Sequence, residues 1–354
     1  MLHEAKYCIN GRFLTRRITG VDRFAREVVR EIDGLLDEGE AVLLLPDGLV
    51  PIDWEPCSNI AICNYGTLRG HLWEQFDFSH YARKYGLLPV SLCNTAPICN
   101  PGVVCIHDMA VRANESNYSS RFVAWYRFLY SQITRKAAAI LTVSDFSKAE
   151  IEKFYPKSKG KISVIPNAWQ HLESIESDAA ALEKFGLESG KFWFAMSSLA
   201  PNKNLRWLVE TALLNPSEVI VIAGGVNDRI FGEHDIPFAD NVIYLGYVSD
   251  SEAKTLLKDC KGFLFPTFYE GFGIPPLEAL ASGAPIVAVS DTKVMHEVYR
   301  DSVAYIDPMR PCASLCDLCG NTTHSIAEVL DSYSWKASAM SLLGILRRVE
   351  RQHE

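Results

Sequence analysis

The sequence lacks the features that mark a membrane, secreted or disordered protein. No apolar run approaches the roughly 20 residues of a membrane span. The opening segment, MLHEAKYCING, has no apolar stretch of the kind that signal peptides carry. No low-complexity tract occurs, and 48% hydrophobic with 22% charged residues is typical of a globular chain. We therefore expect a folded, cytoplasmic protein.

Positive charge is in short supply. The chain has 35 Lys and Arg against 43 Asp and Glu, a formal net charge of −8, which argues against nucleic acid as a partner. A dinucleotide-dependent dehydrogenase is also disfavoured, because no G-x-G-x-x-G follows the first predicted strand of either half. The 10 cysteines are expected to be free thiols, since a chain without a signal peptide meets a reducing compartment.

Three of these cysteines have the spacing of a metal site. Cys312, Cys316 and Cys319 form a C-x3-C-x2-C pattern, as in iron–sulfur sites, and His324 lies nearby as a zinc ligand type. The alternative is that three thiols share a late loop by chance. We favour that alternative and expect no metal here.

Strand-like and helix-like stretches alternate along the chain. Strand candidates lie at residues 5–10, 41–45, 60–63, 88–92, 102–106, 140–143 and 162–165, and again at 192–196, 219–223, 242–245, 262–266 and 285–289. A polar stretch at 170–189 separates the two series. Alternation of this kind indicates parallel sheets with helices on both faces. The sequence therefore predicts an α/β fold with two doubly wound, Rossmann-like domains facing across a cleft, divided near residue 170.

The stretch at 265–283, FPTFYEGFGIPPLEALASG, predicts a strand, a glycine turn and a short helix. Pro275 and Pro276 suit the first helical turn, and Gly283 suits the left-handed position beyond the last. Gly271 and Gly273 allow a ligand to approach the backbone at the helix N-terminus, which favours an anion such as a diphosphate. The same stretch carries two carboxylates, Glu270 and Glu278. Because carboxylates would repel that anion, we expect them to face the hydroxyls of a sugar.

Other candidates lie in the first half. A basic loop with Arg12, Arg16 and Arg17 leads through Gly20 into an amphipathic helix, and these arginines either meet an anion or are solvated. His107 follows a buried-type strand, and is either a cleft-facing side chain or a structural histidine. The aromatic and basic segment 119–136 is compatible with a peripheral membrane contact, although its apolar residues spread round the helix and favour packing.

These motifs together resemble the retaining glycosyltransferases of family 4, whose fold is called GT-B. The likeness rests on Glu270-GFGIPPL-Glu278 with its flanks, and extends to GVDRFARE (20–27), VVCIHD (103–108), ILTVSDFSKAEI (140–151), VIPNA (164–168) and YSWKASA (333–339). It implies an acceptor-binding domain at 1–170 and a nucleotide-sugar-binding domain at 171–330. It also implies that the helix at 331–354 packs back on the first domain.

The resemblance assigns roles to individual residues. Glu270 contacts hydroxyls of the donor sugar and Glu278 the ribose. Lys203 neutralises the departing diphosphate, and His107 bonds the sugar from the first domain. The remaining donor-binding positions are Gly20 in the first loop, the amides of Phe272, Gly273 and Ile274 around the diphosphate, and Gly225 and Val248 in loops that select the base and sugar. Many family members have a further arginine near the lysine, where this sequence has Ser198 and Asn202.

The implied reaction is transfer of a hexose from a nucleotide sugar to a glycan or lipid-linked glycan in surface polysaccharide synthesis. Mannose from GDP-mannose is the first choice for the transferred sugar. No D-x-D motif is present, so we expect a metal-independent enzyme without a cofactor, the nucleotide sugar being a substrate. A UDP-sugar 2-epimerase of the same architecture and a non-catalytic sugar-nucleotide-binding protein are the alternatives.

Overall fold

The structure, a computed structural model, describes residues 5–196, 200–225, 237–318 and 325–352. The chain forms two compact units. Unit 1 comprises Met1–Asn167 and Ser334–Glu354, and unit 2 comprises Ala168–Tyr333. These divisions lie within three residues of the predicted ones at 170 and 331. Within the described parts of the chain, no helix is both long and apolar enough to cross a membrane.

Unit 1 is built on a parallel sheet whose seven strands are β1 (Tyr7–Asn10), β2 (Ala41–Leu45), β3 (Ala61–Asn64), β4 (Leu88–Ser91), β5 (Val103–Cys105), β6 (Ala139–Thr142) and β7 (Ile162–Val164). Their spatial order is β3-β2-β1-β4-β5-β6-β7. β1, β2 and β6 are buried along their whole length, as expected of strands covered on both faces by helices.

The helices of unit 1 are α1 (Gly20–Asp33), α2 (Gly70–Trp73), α3 (Ser79–Lys84), α4 (Ala110–Ala113), α5 (Ser120–Lys136), α6 (Asp145–Phe154) and, after unit 2, α13 (Trp335–Arg351). A π-helical turn at Glu74–Phe78 joins α2 to α3. A capping box between Thr19 and Asp22 starts α1. In α13, Trp335 meets the Phe24 ring of α1 edge to face at 6.1 Å, which attaches the C-terminal helix to unit 1.

Unit 2 has a six-stranded parallel sheet of β8 (Phe192–Met196), β9 (Val219–Ala223), β10 (Val242–Gly246), β11 (Gly262–Phe265), β12 (Val287–Ser290) and β13 (Ala304–Ile306), in the order β10-β9-β8-β11-β12-β13. Its described helices are α7 (Ala181–Phe185), α8 (Leu205–Leu214), α9 (Asp250–Asp259), α10 (Ile274–Ser282), α11 (Lys293–Tyr299) and α12 (Ile326–Asp331). The predicted pair of doubly wound α/β domains is therefore confirmed.

The two sheets share a topology that locates their binding edges. In unit 1 the chain winds outward from β1 in one direction and, from β4 onward, in the other; in unit 2 the same reversal separates β8 from β11. Ligands of doubly wound sheets bind beyond the carboxyl ends of the strands at such a switch point. Each unit therefore has one edge at which a ligand is expected.

Candidate functional site

An ion pair lies at the switch point of unit 2. Lys203 follows β8 and Glu270 follows β11, and Nζ of the lysine is 2.6 Å from Oε1 of the glutamate. The side chains are 24% and 14% exposed, so the pair is half-buried but reachable by a ligand. The Lys203 ammonium also lies 5.6 Å from the centre of the Phe265 ring. The structure thus brings together two of the residues predicted to act on the donor.

Two asparagines hold the lysine loop against the glutamate loop. Asn204 has a left-handed backbone, with φ of 57°, and its side-chain amide donates to the carbonyl oxygens of Pro266 at 2.9 Å and Pro308 at 2.8 Å. The Asn202 carbonyl accepts from the Phe268 amide at 2.8 Å. Asn202, which stands where many family members have an arginine, therefore joins the two loops. Sequence reasoning did not assign this role to the asparagines that flank Lys203.

The N-terminus of α10 requires glycine at position 273. Gly273 has a φ of 87°, and a Cβ atom there would lie 2.8 Å from Cε of Met295. The hydroxyl of Tyr299 donates to the Gly273 carbonyl, and burial raises the pKa of Tyr299 well above its usual value, so this donor stays protonated. Phe272 and Ile274 are buried on either side. No side chain caps the helix among the described residues, so its first turn keeps an end suited to an anion.

Glu278 lies on the same helix and has a histidine partner. Oε1 of Glu278 is 2.9 Å from Nε2 of His171, and the side chains are 16% and 2% exposed. His171 comes from the short helical turn Gln170–Leu172 that opens unit 2. Sequence reasoning missed His171, because 107 residues separate it from its partner.

His107 lies in unit 1 as a buried side chain, 4% exposed. Its Nε2 is 2.8 Å from the Leu92 carbonyl oxygen, and its ring meets the Phe24 ring edge to face at 4.9 Å. Burial lowers the pKa of His107, which favours the neutral imidazole. A sugar could take the place of Leu92 at Nε2 only by breaking that hydrogen bond, whereas this bond does not involve Nδ1. The role of His107 at the donor sugar therefore stays a prediction.

The other predicted positions lie on loops and at one helix start. Gly20 is the exposed first residue of α1. Gly225 is exposed directly after β9, and the residues from 226 to 236 lie outside the described part of the chain. Val248 is partly exposed between β10 and α9. Their contribution to base or sugar selection stays a prediction.

Unit 1 has a cavity of about 290 Å³ at its own switch point. Its polar walls include Asn10 at the end of β1, Asn94 and Thr95 after β4, and Arg12 and Glu74. The buried Glu74 carboxylate accepts at Oε2 from Arg12 at 3.1 Å, Asn10 at 3.0 Å and Thr95 at 2.8 Å. The sequence indicated the arginines of this loop but not Glu74, whose partners are up to 64 residues away.

The cysteine pattern is only partly described, because Cys319 and His324 lie outside the described residues. The Cys312 thiol donates to the Ser314 carbonyl, and the Cys316 sulfur is 3.8 Å from Oε1 of Glu218. Over the described ranges, no group of three or more His, Cys, Asp or Glu side chains is placed to hold a metal ion.

Both halves of the chain match known family models. Residues 20–169 match the model described as "Glycosyltransferase Family 4", and residues 180–311 match "Glycosyl transferases group 1". The O-antigen chain mannosyltransferase RfbU of Salmonella typhimurium is 29% identical over 222 residues, which is 61% of this chain and 59% of that protein. The O-antigen chain mannosyltransferase B of Escherichia coli is 27% identical over 58% of this chain and 57% of that protein. The chain thus matches less than two thirds of the length of these curated relatives.

Solved structures agree at the level of the fold. The sucrose-phosphate synthase of Thermosynechococcus elongatus superposes with a TM-score of 0.75 at 15% identity, covering 99% of this chain and 100% of that chain. Sheet topology and both family models point the same way. The chain therefore combines a glycosyltransferase family 4 domain with a glycosyl transferases group 1 domain, each Rossmann-like, in the GT-B class of fold.

Proposed function

We propose that this protein is a retaining hexosyltransferase that takes its sugar from a nucleotide-sugar donor. The donor that we propose first is GDP-mannose, which supplies mannose. The acceptor is a glycan or a lipid-linked glycan in surface polysaccharide synthesis. The names of the two relatives, both O-antigen chain mannosyltransferases, support the sugar and the pathway class. The observation that carries the proposal is the Lys203–Glu270 pair at the switch point of unit 2, directly before the N-terminus of α10.

The donor site in this proposal uses charges that lie within unit 2. The diphosphate binds at the N-terminus of α10, where the backbone amides of Phe272, Gly273 and Ile274 donate to it. An uncapped helix N-terminus carries partial positive charge, which favours an anion. Glu278, set by His171, accepts from the ribose hydroxyls. Loops at Gly225 and Val248 select the base and the sugar.

The chemical step breaks the bond between the anomeric carbon and the diphosphate oxygen, and the electron pair leaves with the diphosphate. Lys203 offsets the charge that grows on this leaving group, as fixed cations do at developing anions. The acceptor oxygen attacks from the face that the diphosphate leaves, so the configuration is retained, and the acceptor proton passes to the departing phosphate. Glu270 positions sugar hydroxyls and is not a nucleophile. The proposed reaction needs no metal ion.

Donor turnover tests this site. Lys203→Ala and Glu270→Ala are each expected to remove most release of nucleoside diphosphate from the donor, while both proteins remain folded by circular dichroism. Turnover at the wild-type rate in either variant would refute the assignment. Thermal shifts with GDP, UDP and dTDP rank the bases, since a ligand at 100 times its Kd stabilises by about 2.7 kcal/mol. Product analysis without acceptor distinguishes a 2-epimerase, which would still convert its substrate.

We also propose a peripheral membrane contact through segment 119–136. Helix α5 buries one face, including Leu129 and Ile133, but exposes Phe122 at 39% and Phe128 at 50%. Its last turn is basic, which suits anionic lipid headgroups. We expect the double variant Phe122→Ser/Phe128→Ser to lose co-sedimentation with vesicles containing phosphatidylglycerol. Equal sedimentation of variant and wild type would contradict the contact.

A further inference from the structure

Two side chains of α11 contact the glycine that precedes α10. Met295 and Tyr299 lie four residues apart on α11, so both project from the same face of that helix. A Cβ atom on Gly273 would lie 2.8 Å from Cε of Met295, so the methionine leaves room for a hydrogen atom only. The Tyr299 hydroxyl donates to the Gly273 carbonyl oxygen. Both side chains are fully buried, so these contacts belong to the interior of unit 2.

The hydrogen bond from Tyr299 sets the direction of one peptide unit. The Gly273 carbonyl and the Ile274 N–H belong to the same trans peptide, in which the two groups point in opposite directions. Because the carbonyl points to the Tyr299 hydroxyl, the N–H points away from α11. Among the described residues, no group accepts a hydrogen bond from this N–H. The peptide thus has a partner on its inner side and an unused donor on the other.

The turn that contains this peptide has little stiffness of its own. Gly271 and Gly273 lack a Cβ atom, and glycine adopts backbone conformations that are closed to other residues. The Gly273 carbonyl accepts the first hydrogen bond of α10, as expected of a residue that directly precedes a helix. The Tyr299 hydroxyl supplies a second bond to the same oxygen from a different element. Rotation of the peptide would break both bonds, so Tyr299 opposes the motion that would turn the Ile274 N–H away.

The same hydrogen bond makes the Ile274 N–H a better donor. Hydrogen bonds that follow one another in a chain polarise each other, by about 10–30% per bond. Donation to the Gly273 carbonyl draws electron density through the peptide and leaves its N–H more positive. Burial raises the pKa of Tyr299 well above its usual value, so the hydroxyl keeps the proton that it donates. The chain of donors therefore runs from Tyr299 through one peptide to whatever binds at the N-terminus of α10.

We infer that Tyr299 is a positioning residue for the diphosphate, which holds the peptide between Gly273 and Ile274 with its N–H directed at the ligand and does not itself touch the ligand. This role rests on the proposed function, which assigns the diphosphate to the N-terminus of α10. It adds to that site a residue that lies 26 positions beyond the glycine turn, on the next helix of unit 2.

Isothermal titration of GDP, UDP and dTDP tests this role. Tyr299→Phe keeps the ring and removes the donor, so the nucleotides that bind the wild type should bind about 3- to 10-fold more weakly, the factor expected for one hydrogen bond. The matched control is Tyr333→Phe, which removes a hydroxyl that donates to the Val298 carbonyl at 3.2 Å, also on α11, and keeps its ring against Phe272. The control should bind nucleotides like the wild type. Wild-type affinity in Tyr299→Phe, or equal weakening in Tyr333→Phe, overturns the inference.

A double variant separates positioning from a general loosening of unit 2. Ile274→Pro removes the N–H itself, at the first position of a helix, where proline is well tolerated. We expect Ile274→Pro to weaken nucleotide binding, and Tyr299→Phe to cause no further loss in that background, because the group through which it acts is gone. Additive losses in the double variant would refute a role through the Ile274 N–H.

Tyr299→Met covers the case in which Tyr299→Phe does not fold. The flexible methionine side chain fills part of the space of the ring and has no hydroxyl, so the same weakening is expected. Wild-type affinity in this variant contradicts the role of Tyr299. If none of the three nucleotides binds the wild type, the proposed function fails. If they bind the wild type and Tyr299→Phe equally well, only the role of Tyr299 fails.

Discussion

Removing the two charges of the Lys203–Glu270 pair should change nucleotide binding in opposite directions. Their atoms are 2.6 Å apart, and the side chains are 24% and 14% exposed. At this separation and an effective dielectric constant of 20, the attraction is about 6 kcal/mol before any loss of hydration. Desolvation cancels most of it, and neighbouring groups of this kind typically couple by about 0.5–3 kcal/mol. A diphosphate that binds the Lys203 ammonium in place of Glu270 must offset this coupling energy.

We expect Glu270→Gln to bind nucleoside diphosphate about 5 to 30 times more tightly than the wild type, because a difference of 1–2 kcal/mol corresponds to such a factor. The lysine then gives its whole charge to the ligand. Lys203→Ala should bind more weakly, and its kcat should fall by about 10²- to 10³-fold, the usual cost of losing one group that stabilises a developing charge. Turnover by Glu270→Gln should fall as well, since the sugar loses a positioning acceptor, so tighter nucleotide binding accompanies slower chemistry.

Isothermal titration of GDP, UDP and dTDP into the wild type, both single variants and the double variant Lys203→Ala/Glu270→Gln measures this coupling directly. The matched control is Glu210→Gln, which breaks an ion pair of the same length with Arg206 on the exposed face of α8 and should leave nucleotide affinity unchanged. Weaker nucleotide binding by Glu270→Gln, or additive effects in the double variant, would refute the reasoning.

Three further outcomes follow from named contacts. His171→Ala should weaken nucleotide binding about 3- to 10-fold in titration calorimetry, because Glu278 loses one hydrogen-bond partner, while His296→Ala, which breaks an exposed histidine–aspartate pair in the same unit, should not. Burial lowers the pKa of His107, so the unfolded chain binds a proton there more tightly than the folded one. The free energy of unfolding of the wild type should therefore fall as the pH drops below about 6.5, by at most about 1.4 kcal/mol per pH unit from this group. In urea unfolding, the free energy of unfolding of His107→Gln should decline less steeply with falling pH. Asn204→Ala removes two hydrogen bonds and strains a left-handed position, so urea unfolding should show a free energy of unfolding lower by about 2–4 kcal/mol. Asn204→Gly should lose less stability, because glycine adopts the left-handed backbone without strain. Equal losses in the two variants would mean that the left-handed backbone contributes nothing.

The sequence predicted what depends on local pattern. Alternating strand and helix signals located the strands of unit 1 to within one or two residues, because buried parallel strands are short apolar runs with sharp ends. Proline at the start and glycine at the end gave the helix that became α10, from Ile274 to Ser282. Glu270 and Glu278 were recognisable because one glycine turn and one helix hold them both.

The sequence pattern could not predict contacts between side chains that lie far apart in the chain. The partners of Glu74 and Glu278 include Asn10, the last residue of β1, and His171, in the helical turn that opens unit 2. Only the finished fold brings these residues together, and no spacing in the chain encodes them. His107 illustrates the opposite limit. A histidine after a buried strand faces either a ligand or its own protein, and no pattern in the sequence predicts the hydrogen bond between Nε2 of His107 and the Leu92 carbonyl, which belongs to the loop after a different strand.

The way the chain enters and leaves unit 2 has a consequence for its modularity. Unit 2 is a single continuous segment, Ala168–Tyr333, inserted between the two parts of unit 1. Its entry and exit are tied to each other: the indole of Trp169 donates to the Leu330 carbonyl at 3.0 Å, and the side-chain amide of Gln170 donates to the Tyr333 carbonyl at 2.8 Å. A module with adjoining ends can be exchanged as one cassette. One continuous gene segment, the one that encodes unit 2, could thus be exchanged between related proteins. Such an exchange would transfer a nucleotide preference and leave the sequence of unit 1 unchanged.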